Sequence, residues 1–90
     1  VFIKDGCAAC GQLVQRLQSS GAEFDLYMVG SRQDDARIRD WAKRANVDPA
    51  RVRAGSITLN HDGGRWLSLG LPGDLPAAVR EVNGQWQRQP

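Results

Sequence analysis

The sequence predicts a single α/β domain, and three observations carry that expectation. An apolar run, Val1-Phe2-Ile3, passes through a tight turn into a helix-like stretch opened by Cys7-Ala8-Ala9-Cys10. After that helix comes a near-continuous apolar segment, Phe24 to Val29. This is the pattern of a parallel βαβ unit with its second strand buried on both faces. Further on, two strand-like runs flank His61-Asp62-Gly63-Gly64 as the arms of a β-hairpin would.

The elements follow in order. The first helix is expected from about Cys7 to Leu17, because Cys10, Leu13, Val14 and Leu17 recur at helical spacing and mark a buried face. Ser19-Ser20-Gly21 ends it, with Gly21 suited to the left-handed position after a helix. The strand Phe24 to Val29 closes at Gly30-Ser31. A second helix is predicted from Asp34, which can cap it, to about Ala45, with Ile38, Trp41, Ala42 and Ala45 inward. Asp48-Pro49 starts a short helical turn through Val52. Ser56 to Leu59 and Arg65 to Leu69 then form the predicted hairpin around Asp62-Gly63. Asp74 caps an expected last helix carrying Leu75, Ala78, Val79 and Val82 inward, and Asn83-Gly84 stops it. The predicted order is therefore β-α-β-α-β-β-α, a mixed central sheet with the cysteine motif at the start of the first helix. The domain spans residues 1–84, and 85–90 form a polar C-terminal tail that frays or adds a short edge strand.

Composition narrows the function classes. Ninety residues suit one domain with one modest core. Net charge is +2, with ten arginines and two lysines scattered among acids, which gives no one-sided basic patch for nucleic acid. The tight cluster Arg51-Val52-Arg53 is too small to make one. No apolar run approaches the ~18 residues that would suggest a membrane span, and no signal-peptide pattern is present. The chain starts inside a predicted strand, as expected of a domain cut from a longer precursor or matured by processing. The carboxylates form no paired acid–base or metal-like arrangement, and Asp34-Asp35 reads as helix capping. Trp41 reads as core, while Trp66 and Trp86 read as packing residues that could also anchor a partner.

The chemistry-bearing candidates are Cys7 and Cys10, the only cysteines in the chain. A helix N-terminus offers unpaired N–H groups and partial positive charge, which favour a thiolate at the first cysteine. Cys7 is then the nucleophile and Cys10, one turn further in on the apolar face, the resolving thiol. Ala8-Ala9 between them supply no extra charge or hydrogen bond. A redox-silent pair in a binding domain remains an alternative. Zinc needs about four ligands, and beyond the pair the chain offers only His61, read as a polar turn residue, so no metal or other cofactor is expected.

A strand running into Cys-x-x-Cys at the start of helix 1, in this element order, resembles the thioredoxin fold. Gly55-Ser56-Ile57-Thr58-Leu59, Asp62-Gly63, Gly70 and the helix from Leu75 fall in the order of that fold's C-terminal half. More narrowly, Ile57-Thr58-Leu59-Asn60-His61-Asp62 with Gly64-Arg65-Trp66, and Asp35-Ala36-Arg37-Ile38-Arg39 upstream, resemble a family of uncharacterised integrating conjugative element proteins. The resemblance implies thiol–disulfide exchange with protein thiols or disulfides, among them components of a conjugative transfer apparatus, in a periplasmic setting. It also implies a substrate-docking loop beside the cysteines, which by sequence falls on Ser56, Ile57 and Thr58. Thioredoxin-fold enzymes carry a cis-proline in that loop and a buried acid six residues before the first cysteine. Ile57 and Val1 stand at those positions. A cis bond before a non-proline residue costs ~2.5–4 kcal/mol, so Ser56–Ile57 is expected to be trans. The competing expectation is an interaction domain that kept the fold and lost substrate docking.

Overall fold

The structure, a computed structural model, describes residues 1–89. It is a small α/β domain built on a three-stranded parallel sheet with four helices, followed by a separate two-stranded hairpin. The sheet consists of β1 (Phe2–Lys4), β2 (Phe24–Val29) and β3 (Ile57–His61) in that spatial order. Helix α1 (Ala8–Ser19) links β1 to β2; α2 (Asp35–Arg44) and α3 (Pro49–Ala54) link β2 to β3.

Local signals set these elements as expected. Asp34 caps α2 by accepting from the Ala36 and Arg37 amides. Asp48 caps α3 with Pro49 at its first position, and Gly55 ends it in the left-handed conformation (φ 85°). The parallel strands step the same way across the sheet, and right-handed crossovers then place their connecting helices on one face. The core follows. Ile3, Leu26, Met28 and Ile57 from the strands pack with Cys10, Val14, Ile38 and Trp41 from α1 and α2. Arg51 ties α3 to the end of α1, its guanidinium donating to the carbonyls of Gln18 and Ala22.

β2 is not buried on both faces. Leu26 and Met28 are buried, but Asp25 is exposed and Tyr27 half-buried on the opposite side. That side carries an aromatic cluster in which Phe2 stacks on Tyr27 at 5.2 Å and meets Trp66 at 5.2 Å. The Arg65 guanidinium lies 5.0 Å over the Tyr27 ring.

The C-terminal third departs from expectation. β3 forms, but it pairs in parallel with β2, and residues Arg65–Leu69 are a short helix, α4, instead of a hairpin arm. The cause is Asp62, whose carboxylate accepts from the Gly64 amide at 3.1 Å and the Trp66 amide at 2.8 Å. Those bonds turn the chain into a helix, helped by positive φ at both Gly63 and Gly64. The expected last helix is absent among the described residues. In its place Ala77 bonds Phe2 in both directions, N to O at 2.8 and 3.0 Å, as an antiparallel bridge on the free side of β1. β4 (Val79–Val82) and β5 (Gln85–Arg88) then form an antiparallel hairpin. Its turn is Asn83-Gly84 with φ of 53° and 80°, the two-residue geometry that Asn-Gly favours. Of the two outcomes expected for 85–90, the short strand is the one found, as β5 of this separate hairpin, and Pro90 lies outside the described residues. The mixed character of the central sheet is confined to the single Phe2–Ala77 bridge.

Asp62 is 7% exposed and serves two amides, so Asp62→Ala strands both donors. A loss of roughly 1–3 kcal/mol is expected in urea denaturation, with Asp62→Asn losing less.

Candidate functional site

The candidate site sits at the C-terminal edge of the parallel sheet, where β1 ends. Asp5 and Gly6 turn the chain, with Gly6 at φ 67°, and deliver Cys7 as the extended N-cap of α1. Its sulfur accepts the Cys10 amide at 3.1 Å, the place a capping oxygen takes in other helices. Cys7 and Cys10 are joined as a disulfide with Cα atoms 5.3 Å apart. The two sulfurs differ in access. Cys10 is fully buried in the core, while Cys7 is half-buried and lines an open cleft with Trp41, Arg44 and Gly6. In the reduced protein the accessible thiol is therefore the one at the helix N-terminus, the geometry that stabilises a thiolate.

Charge around the pair is modest. The Arg44 Nη2 donates to Asp5 Oδ1 at 3.1 Å beside the cleft. Both side chains are well exposed (42% and 63%), so solvent screens this pair. Lys4 is exposed on the last residue of β1. Val1 packs against the core.

Opposite the cleft, the Leu75 carbonyl oxygen lies 4.0 Å from the Cys7 sulfur. Leu75 begins the segment that reaches Ala77 and bridges to β1, and the Leu75–Pro76 peptide bond is cis. The Ser56–Ile57 bond is trans. Residues Ser56, Ile57 and Thr58 lie elsewhere. Ile57 is fully buried and pairs with Phe24 at the N-terminal end of β2, while the cysteines follow the C-terminal end of β1. Thr58 turns its hydroxyl to the Asp25 carboxylate at 2.5 Å. The structure thus brings Cys7, Cys10 and Leu75–Ala77 together, and leaves Ser56 to Thr58 at the opposite end of the sheet. The Leu75–Ala77 segment was hidden in the sequence by its place in an apparently amphipathic helix. Leu75-Pro76 was its one visible signal.

His61 is the last residue of β3 rather than a turn residue. Its Nδ1 is 2.5 Å from the Ser31 hydroxyl and its Nε2 is 2.7 Å from Asp35 Oδ1. Both ring nitrogens are engaged, so the imidazole fastens the loop after β2 to the start of α2. Hydrogen bonding from His61, and then its charge, hold the Asp35 carboxyl below its usual value. Among the described residues no group of three or more His, Cys, Asp or Glu side chains could hold a metal ion.

Against family models, curated proteins and solved structures, the chain has no significant match. No helix among the described residues is long and apolar enough to cross a membrane.

A carboxyl depressed in the folded protein stabilises it above the unfolded value and ceases to do so as pH falls through the folded value. The Asp35–His61 pair should therefore steepen the loss of stability below about pH 4. Denaturation midpoints measured from pH 5 downward should fall less steeply for Asp35→Asn than for the wild type. Equal slopes would remove the pair from the acid response.

Proposed function

We propose that this is a thioredoxin-like domain whose Cys7–Cys10 pair carries out thiol–disulfide exchange on protein substrates. The observation that supports it best is the asymmetry of the pair, an accessible Cys7 sulfur at the N-cap of α1 and a buried Cys10 one turn behind. The β1-α1-β2 unit and the Leu75–Ala77 segment lying antiparallel beside β1 agree with it. In the thioredoxin-like resemblance, the strand and loop beside the cysteines are what substrate backbone docks against. Leu75–Ala77 replaces Ser56 to Thr58 in that role.

In the reducing direction, the Cys7 thiolate attacks one sulfur of a substrate disulfide. The substrate S–S bond breaks and one substrate thiolate leaves, taking up a proton. The Cys10 thiolate then attacks the Cys7 sulfur of the mixed disulfide, expelling the second substrate thiolate and closing Cys7–Cys10. Two electrons pass from the dithiol to the substrate disulfide. In the oxidising direction a substrate thiolate attacks the Cys7–Cys10 bond and the same steps run backward, with the protein left as the dithiol. The Leu75 carbonyl and the α1 N-terminus act in opposite senses on Cys7. The helix end favours the thiolate, and the carbonyl favours the protonated thiol.

One observation favours a second reading, a redox-silent interaction domain. Where the resemblance carries a buried acid to move the proton of the resolving thiol, Val1 packs against the core instead. The wider setting, a conjugative transfer apparatus at the periplasmic face of the cell envelope, rests on the short-segment resemblance alone.

The reduction potential of the pair and the pH dependence of Cys7 alkylation separate the two readings. Exchange predicts a potential between about −120 and −270 mV and a Cys7 thiol well below the ordinary value of about 8.5. Cys10→Ser should accumulate a mixed disulfide with substrate proteins that carry a disulfide, and Cys7→Ser should abolish exchange. An unshifted Cys7 with no insulin reduction and no refolding of a scrambled substrate would leave the interaction domain.

A further inference from the structure

Residues 71–76 make no backbone–backbone hydrogen bond to any other described residue, although they end on the carbonyl that faces Cys7. Two contacts hold this strap. The Leu75 side chain packs against the core. The other is Arg88 of β5. Its Nη1 donates to the Pro72 carbonyl at 2.6 Å, and its Nη2 donates to the carbonyls of Asp74 and Pro76 at 2.5 and 3.2 Å. A planar guanidinium presents several donors in a fixed fork, so one side chain can gather three carbonyls that would otherwise face water. Gly73 lies at the centre of that fork at φ 93°, and a Cβ there would collide with the guanidinium. The glycine and the arginine therefore fit as a unit. Among the described residues no carboxylate forms an ion pair with Arg88.

We propose that Arg88 is a positioning residue for the dithiol: by clamping the Pro72, Asp74 and Pro76 carbonyls, it holds the Leu75 carbonyl against Cys7 and so sets the reactivity of that thiol. This rests on the exchange reading of the pair. In the disulfide the Cys7 sulfur has no proton, and the approach to Leu75 is a contact. In the dithiol, the Cys7 S–H can donate to that carbonyl, and the Cys7 thiolate meets its negative end. A fixed carbonyl thus opposes the helix terminus and keeps part of the thiol protonated. Freeing the strap removes this opposition, and the thiolate fraction at neutral pH rises. A change of about threefold in the acid ionisation constant is expected, the size of one weak hydrogen bond.

The test uses the full chain in a Cys10→Ser background, where Cys7 is the only thiol, and follows its alkylation by iodoacetamide against pH. Arg88→Gln should move the midpoint of the profile down by about half a pH unit and raise the rate about threefold at pH values well below that midpoint. Arg88→Lys, which keeps the charge without the fork, should fall between Arg88→Gln and the parent. Gly73→Ala should shift the profile in the same direction with Arg88 still present, because it displaces the guanidinium. Thermal unfolding of each variant separates a shifted thiol from a loosened fold. Profiles for Arg88→Gln and Gly73→Ala that coincide with the parent, in folded protein, would overturn the positioning role. Failure of the exchange reading is distinguishable, since it shows as absent turnover in the protein with both cysteines whatever the strap variants do.

Discussion

Everything at the candidate site depends on β1, three residues held between two neighbours of opposite direction. On one side Phe2, Ile3 and Lys4 pair in parallel with Tyr27, Met28 and Val29. On the other, Phe2 exchanges both backbone bonds with Ala77. The first pairing fixes where β1 ends, and so where Cys7 caps α1. The second brings the Leu75 carbonyl to the Cys7 sulfur. Neither neighbour alone makes a site: without β2 there is no buried Cys10, and without Ala77 the cysteine edge has only the Trp41–Arg44 side of its cleft.

The same placement divides the molecule into two unlike faces. One holds α1, α2 and an aliphatic core around Ile3, Leu26 and Met28. The other holds the aromatic group of Phe2, Tyr27 and Trp66, covered by the short helix α4. Cys10 belongs to the first face and is sealed there. Cys7 stands at the rim, where α1, the loop after β1 and the Leu75 strap converge. The unequal access of the two sulfurs is thus a consequence of where helix and sheet meet.

Much of the first sixty residues was legible because their instructions are local. Asp34 and Asp48 cap the helices that follow them, Gly21 adopts the left-handed conformation after α1, and helical spacing marks the buried stripe of α2. The remainder was misread where one signal admits two outcomes. Asp62-Gly63 can turn a hairpin, yet its carboxylate found two helix amides. Asn83-Gly84 can stop a helix, yet with positive φ at both residues it turns a hairpin. The candidate site was half legible for a different reason. Cys7 and Cys10 announce themselves by spacing, whereas Leu75 and Arg88 reach the site through contacts between distant parts of the chain. No local pattern encodes a carbonyl resting on a sulfur 68 residues away in sequence.

The Phe2–Ala77 bridge also has a meaning in time. It joins two residues far apart in sequence, Phe2 and Ala77, while β1-α1-β2 and β2-α2-α3-β3 are built from consecutive segments. Closing a long loop carries a larger entropy cost than closing a short one, and contacts between distant residues slow folding. The parallel sheet with its two helices can therefore assemble first, burying Cys10 while the Leu75 side of Cys7 is still bare.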